Sequence, residues 1–522
     1  MIFNNIKIKE DIYVQEIVNT INGYIWSSAL IYLCLGAGLF FTVLTRFVQV
    51  RQFSEMWRLL MSGKSSEQGI SSFQALAISL SGRVGAGNIA GVAAAIGFGG
   101  PGAVFWMWVV AFFGAATAYV ESANAQIYKE EHDGKYHGGP AYYIEKAMGQ
   151  KWYAWTFAIA TIVATGILLP TVQSNTIGTA VEQVFSNSGS IETAIGVISY
   201  AKLYTATGIV LLLGFIIFGG VKRIANFTQV IVPFMALAYI LISLIIIGLN
   251  ITLLPEAFMM IMGDAFTPMA GFGAAIGWGV KRGVYSNEAG QGTGPHAAAA
   301  AEVDHPAQQG LVQAFSVYID TLFVCSATAF MIIITGTYNV HGVGDVFIVQ
   351  NIASDVIASG PQFTQMAVES VFTGVGKPFV ALALFFFAFT TILAYYFIAE
   401  NNIYYIKRTF NIPGAVFMLK VVIMSATFYG TIKAANMAWG LGDIGVGLMA
   451  WLNIIGIIII FFMSKPAIKA LDDYEAQQKA GVKNYTFNPK KLGIKGAVFW
   501  EERWDKSATE RSKTEQSKTE QS

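Results

Sequence analysis

The chain has 522 residues, 54% of them hydrophobic and only 12% charged, with a formal net charge of +1. A soluble protein of this length carries about twice that charged share, and so neutral a balance gives no reason to invoke a nucleic-acid partner. The two cysteines, Cys34 and Cys325, both stand in apolar runs, so a structural disulfide or a metal site has little support.

The apolar residues are gathered into charge-free stretches, among them 17–45, 152–181, 203–221, 224–255, 378–399 and 444–464. A membrane-spanning helix needs roughly 20 mainly apolar residues, so each stretch is long enough, and the period-2 alternation of a membrane β-barrel is absent. The polar start (NNIKIKEDIY) and the length of the first apolar segment argue against a cleavable signal peptide. An extracytoplasmic N-terminal tail is expected over 1–21. Spans are then expected near 22–46, 68–98, 101–128, 152–186, 203–220, 226–250, 266–301, 306–336, 374–406, 412–433 and 438–463, about eleven in all. This predicts an all-α, polytopic membrane protein whose transporter domain covers 22–465.

Lysines and arginines fall on alternate loops. Arg46, Arg51, Arg58 and Lys64 follow the first span, and Lys129, Lys135, Lys146 and Lys151 follow the third. Lys222 and Arg223 follow the fifth, and Lys407 and Arg408 the ninth. The positive-inside tendency then places the N-terminus outside the cell membrane and the C-terminus inside. The segment 466–522, ending RSKTEQSKTEQS, reads as a disordered cytoplasmic tail.

Two of the expected spans carry residues that do not suit a continuous helix in lipid. The second contains Ser81-Gly82-Arg83-Val84-Gly85-Ala86-Gly87-Asn88, and the seventh runs from Lys281 through Glu288 to Gly294-Pro295. Glycine clusters favour unwinding, and a charge at membrane depth costs roughly 2.5–3.5 kcal/mol. Such segments suit a polar chamber, where bare amides hold a carboxylate and bare carbonyls hold a cation. The alternative for the glycines is close helix packing, which suits Gly91, Gly97 and Gly100 best. The two breaks are five spans apart and stand first in two sets of five helices, about 68–250 and 266–463. Each set has its long connection after its second helix, at 129–151 and 337–373. Paired interrupted segments at matching positions point to an inverted-repeat transporter.

GRVGAGNIAGVAAAI, the following GGPGAVFWMWVVAFFG (99–114) and SNEAGQGTGPHAAAAAEVDHPAQQGLVQ (286–313) together resemble the alanine/glycine:cation symporter family, as do GGPAYY (138–143) and VQSN (172–175). The resemblance covers about 20–465. It implies a LeuT-type five-plus-five inverted repeat with one extra N-terminal helix, Na⁺ as coupling ion, no organic cofactor, and alanine or glycine as substrate. It also implies a Na⁺ site made of the carbonyls of Ser81, Val84 and Phe387 and the hydroxyls of Thr390 and Thr391. Oxygen ligands suit a hard cation, although either threonine can instead bond back to its own helix. The amides of Ala86 and Gly87 would meet the substrate carboxylate, Asn88 would fix the break or touch substrate, and Gln173 would reach the amino acid or bridge two helices.

Arg83 stands where many members of that family carry Thr, and Tyr395 where many carry Trp. Both features, with Ala399-Glu400-Asn401-Asn402, resemble the branch that includes glutamine carriers. Tyr395 is then a candidate wall of the pocket. Arg83 is a substrate contact or a partner for Glu121 or Asp320 in a buried ion pair. Glu121, Glu288, Asp320, Lys420 and Asp443 also lie in or near spans. Glu288 is a candidate cap or a neutraliser of Lys281 or Arg282, and Asp320 or Glu121 a candidate proton-linked group. The five histidines lack the spacing of a metalloenzyme such as HExxH, so a membrane enzyme is not expected. Proton coupling and a plain ion channel are the remaining alternatives.

Overall fold

A computed structural model describes residues 2–60, 69–193, 196–266, 271–342, 346–356, 358–410, 412–433 and 435–506. Side chains are described for these except 2–12, 272, 435 and 436. Helix dominates, as an apolar chain without water to bind its backbone requires. Eight described helices are long and apolar enough to cross a membrane, and a ninth follows if the pair Tyr13–Ile25 and Ser28–Leu44, bent by 41°, is one span.

We label the main elements in chain order: α1 (Ile2–Ile25) and α2 (Ser28–Leu44), then α3 (Ser72–Arg83) and α4 (Gly87–Gly99). α5 is Gly102–Ile127, α6 Pro140–Met148, α7 Lys151–Val184, α8 Tyr200–Ile217 and α9 Gly220–Leu249. α10 is Leu254–Phe266, α11 Phe272–Asn287, α12 Gly294–Ala300 and α13 Pro306–Thr335. α14 is Gln362–Val371, α15 Gly376–Lys407, α16 Ala415–Ile432, α17 Ala435–Ser464 and α18 Pro466–Lys479.

Burial divides these helices into two kinds. In α5 and α15, 67% and 83% of the most apolar window is buried, against 33% in α9 and α16. The outer helices present large apolar side chains such as Leu211, Phe215, Phe234 and Leu237 to the surroundings, as a helix facing lipid does. The inner helices put polar residues inside, including Gln173, Glu121, Asp320 and Thr391.

Both expected interruptions exist. α3 ends at Arg83, Val84 turns out of helical geometry at ψ 85°, and a π-helical turn over Gly87–Gly91 starts α4. α11 continues to Asn287, so Lys281 to Asn287 are helical and only 288–293 are unwound. Two further π-helical turns lie at Ala164–Leu168 and Tyr318–Cys325. The connections after α5 and α13 have the same plan. Each holds a short antiparallel hairpin, Glu130–His132 with Lys135–His137 and Asn339–His341 with Phe347–Gln350, followed by a short helix, α6 or α14.

Both chain ends differ from the sequence-based expectation. The expected N-terminal tail over 1–21 is helical from Ile2. Val18 is buried against Gly440, and the Asn22 side-chain amide donates to the Gly440 carbonyl at 2.8 Å, so one face of α1 packs on α17 while Tyr13, Val14, Ile17 and Ile21 stay exposed. The segment from 466 is not disordered as far as Ala497 and Trp500, which are buried along with Leu471, Tyr474, Phe487 and Ile494. Its aromatic residues supply the apolar surface that a disordered tail lacks. The RSKTEQSKTEQS end of that expectation lies outside the described residues.

The candidate substrate and cation site

At the first break the backbone is held by side chains from distant helices. The Ala86 amide donates to Gln173 Oε1 on α7 at 2.9 Å, and the Gly85 amide donates to Asn88 Oδ1 at 2.8 Å. Asn88 Nδ2 donates to Asp320 Oδ1 at 2.6 Å. Gly85 has to be glycine: a Cβ there would lie 2.5 Å from Thr391 Oγ1 and 2.9 Å from Gln173 Oε1. Gly87 sits under the Tyr285 ring, where a Cβ would come within 3.1 Å.

Thr391 ties this break to α15. Its hydroxyl lies 2.7 Å from the Ser81 carbonyl and 2.9 Å from the Phe387 carbonyl. The Thr390 hydroxyl lies 3.0 Å from the same Phe387 carbonyl and 2.9 Å from that of Phe386. Both threonines thus bond back to their own helix, and Thr391 also reaches across to the break. Ser81, Phe387, Thr390 and Thr391 therefore present their oxygens within one small volume. Val84, leaving the helix next to them, turns its carbonyl out of the helical ladder.

Of the six residues expected to meet substrate, Ala86, Gly87, Asn88 and Gln173 are drawn together at the break. Tyr395 joins them from α15, its hydroxyl directed at Gln173 and Glu288. The Asn88 carboxamide is engaged in fixing the break. Arg83 points elsewhere. It is buried, and its Nη1 donates to the Gln313 carbonyl at 3.0 Å and to the Ser316 hydroxyl. The expected buried ion pair is not made. Among the described residues no carboxylate lies within ion-pair distance of Arg83, and its Nε and Nη2 have no hydrogen-bond partner. Glycine at 294 makes room for that guanidinium, since a Cβ there would come within 2.8 Å of Nη2.

The second break is wired differently. Glu288, Gly290 and Gly292 have φ of 56°, 83° and 82°, the left-handed region that favours glycine and costs other residues roughly 1–2 kcal/mol. The Glu121 carboxylate from α5 accepts the Gly290 amide at 3.3 Å, the Gly292 amide at 3.2 Å and Asn453 Nδ2 at 2.7 Å. Asn453 also donates to the Gly290 carbonyl at 2.9 Å and accepts from the Tyr143 hydroxyl. Glu288 does not neutralise Lys281 or Arg282. It accepts from the Thr293 hydroxyl at 2.8 Å, and Asp443 on α17 pairs with Lys281 at 2.6 Å and Arg282 at 2.8 Å. Those two basic residues lie about two helical turns before the break, on the side of α11 that meets Asp443, which is why α17 supplies their partner.

Asp320 joins the two broken helices. Its Oδ1 accepts from Asn88 and, at 3.0 Å, from the Ser286 hydroxyl, while Oδ2 accepts from Thr321 at 2.7 Å. Sequence reading assigned no role to Tyr143, Ser286, Thr293 or Asn453. Nothing in their spacing marks Tyr143, Ser286 or Asn453, whose partners stand 34 to 332 residues away, and Thr293 acts inside the break itself, on Glu288.

The break region is covered on both sides. On one side the Arg282 guanidinium stacks 4.6 Å from the Trp439 ring, with Lys281 and Asp443 beside it. On the other, Ile70 before α3 forms a parallel bridge with Ala301 after α12, its amide 3.0 Å from the Ala300 carbonyl.

Two interrupted helices that share a buried polar center, inside a bundle with lipid-compatible flanks, define a membrane carrier. Residues 11–489 match the model of the sodium:alanine symporter family, and the chain belongs to that family. A Bacillus subtilis (strain 168) protein, named by inference as the sodium/proton-dependent alanine carrier YrbD, is 57% identical over 94% of this chain and 98% of its own length. The sodium/proton-dependent alanine carrier protein of Bacillus sp. (strain PS3) is 49% identical over 86% and 99%. A second Bacillus subtilis (strain 168) relative, named by inference as the sodium/glutamine symporter GlnT, is 39% identical over 90% and 92%. The family and these relatives are transporters, and this chain is a carrier, not an enzyme.

Proposed function

We propose that this chain carries alanine, or a neutral amino acid of similar size, into the cell together with Na⁺ by alternating access. The cation site is Ser81, Val84, Phe387, Thr390 and Thr391, and the substrate lies against Ala86, Gly87, Gln173 and Tyr395. The observation that carries this reading is the Thr391 hydroxyl, which links the Ser81 carbonyl at the break to the Phe387 carbonyl on α15. A cation among these oxygens orders the same backbone whose amides meet the substrate carboxylate, so the two ligands raise each other's affinity. In the present geometry the Gln173 carboxamide oxygen holds the Ala86 amide, and a carboxylate oxygen takes its place when substrate binds.

A LeuT-type five-plus-five repeat, with α2 as the extra N-terminal span and about eleven spans in all, fits the two breaks and the matched hairpin-plus-helix connections. The distribution of Lys and Arg over the loops supports an N-terminus outside and a C-terminus inside. Glutamine is the second reading, favoured by the GlnT relative, and proton coupling the third, favoured by the relatives' names and by the buried Glu288 carboxyl at the second break.

The test is uptake of labelled alanine by proteoliposomes with Na⁺ varied. Thr391→Ala is expected to shift half-maximal Na⁺ activation about tenfold higher, the equivalent of ~1.4 kcal/mol. Unchanged Na⁺ activation in that variant defeats the cation site. Uptake driven by a pH gradient without Na⁺ selects proton coupling, and competition by unlabelled glutamine against alanine decides between the substrates.

A further inference from the structure

The chain beyond α17 folds back onto the same face of the bundle as the Ile70–Ala301 bridge and fastens three separate parts of it. Trp500, 2% exposed, donates its indole N–H to the Gln126 carbonyl at the end of α5 at 2.7 Å. Arg503 pairs with Glu302 at 2.8 Å and donates to the Val303 carbonyl at 3.2 Å, in the link that follows α12. Glu475 of α18 pairs with Arg51 at 2.6 Å, and Tyr474 donates to Glu55, both in the linker that leads to α3. A fourth contact, Asp473 with His305 at 3.2 Å, holds the end of the α12–α13 link.

These anchors surround the place where the two broken helices are joined. The Ile70 amide donates to Ala300, and the Glu302 amide donates back to the Ile70 carbonyl at 2.9 Å. Glu302 is thus held by the bridge through its backbone and by Arg503 through its side chain. The buried Lys129 ammonium completes the seal. It lies 4.1 Å from the Tyr136 ring and 4.6 Å from the Phe499 ring. For either break to be reached from this face, the bridge has to part and the two linkers have to separate. A segment fastened to both linkers and to α5 resists that movement. The match to the family model ends at 489, before Trp500 and Arg503.

We propose that residues 466–506 are a clasp that brakes opening of the carrier at this face, so that release of Trp500 and Arg503 from the α5 end and the α12–α13 link sets the rate at which the site is exposed there. The inference rests on the carrier reading. It needs nothing from the assignment of Na⁺ or of substrate.

The test uses full-length protein in proteoliposomes. Trp500→Ala/Arg503→Ala is combined with Ala301→Cys, since Cys34 and Cys325 are both buried. With the clasp loosened, a water-soluble maleimide is expected to label Cys at 301 about tenfold faster, and maximal alanine uptake to rise about threefold, as when a closing element limits turnover. Equal labelling and equal uptake with and without the double substitution overturn the proposal, as does a variant that loses uptake along with thermal stability. A second variant, Glu302→Cys/Arg503→Cys joined by a short reducible cross-linker, is expected to lose at least about tenfold in uptake and recover it on reduction. Full uptake in the cross-linked state overturns the clasp. Absent uptake by the unsubstituted chain strikes the carrier reading itself, a result distinct from an unresponsive clasp.

Discussion

The two interruptions use the same device, a run of glycines, and satisfy it in opposite ways. At 84–88 the bare amides are met by neutral carboxamides, Gln173 on another helix and Asn88 within the break. At 288–293 they are met by a buried carboxylate, Glu121, locked in turn by Asn453. An acceptor that holds one amide is displaced by a ligand at modest cost, whereas Glu121 takes three donors at once, and freeing it leaves three buried groups unpaired. The first break is therefore suited to exchange partners during a transport cycle, and the second to serve as a fixed joint.

The strongest way to break this comparison is Gly85→Ala. The added methyl overlaps Thr391 and Gln173, both anchored, so uptake is expected to fall at least about 100-fold, some 2.7 kcal/mol, while the protein still inserts and purifies as a folded species. Retained uptake would mean that the first break is not the working site. Glu121→Ala comes next and acts on stability. It leaves the Gly290 and Gly292 amides and Asn453 Nδ2 without their acceptor, each such buried group costing about 1–3 kcal/mol. A large drop in detergent melting temperature is expected, milder in Glu121→Gln. Little change in melting, with a change confined to substrate affinity, would reverse the roles assigned to the two breaks.

Gln173→Ala sharpens the contrast from the other side. Half-saturation for alanine is expected to move about tenfold with melting close to that of the unsubstituted protein. The smallest effect separates the link between α12 and α13 from the first break by pH. Burial pulls His305 below its ordinary value, against the opposing pull of Asp473; Tyr474 and Phe487 pack on the ring. A depressed base stabilises the packed state above its free pKa of about 6.5 and loses that contribution as pH falls. Hydrogen exchange over 301–307 is therefore expected to quicken between about pH 7.5 and 5.5, while exchange over 84–88 stays level. Equal response of both segments would remove His305 as the cause.

Much of this was readable beforehand. The unwinding at Gly85 and at 288–293 follows from glycine clusters in apolar surroundings, and the face of α15 that carries Thr391 follows from two hydroxyls in the run FFFAFTTILAYY. The ends of the chain were misread. Residues 1–21 and 466–506 are polar enough to look unattached, yet each carries a few apolar or aromatic residues that find a surface to bury against, Val18 on α17 and Trp500 on α5. Of the two roles open to Glu288, cap or neutraliser of Lys281 or Arg282, the second is taken by Asp443, which is far off in sequence and nearer in space.

By itself the sequence determined that the chain lives in a bilayer, where its helices are interrupted, and which residue types stand at the interruptions. Composition and local propensity suffice for that, since both act over a few residues. Only the tertiary structure decided which side chain meets which bare amide, that Arg83 makes no ion pair among the described residues, and that the end of the chain returns to fasten the Ile70–Ala301 bridge. The contacts between helices join segments from 87 to 374 residues apart and depend on packing distances that no local pattern encodes.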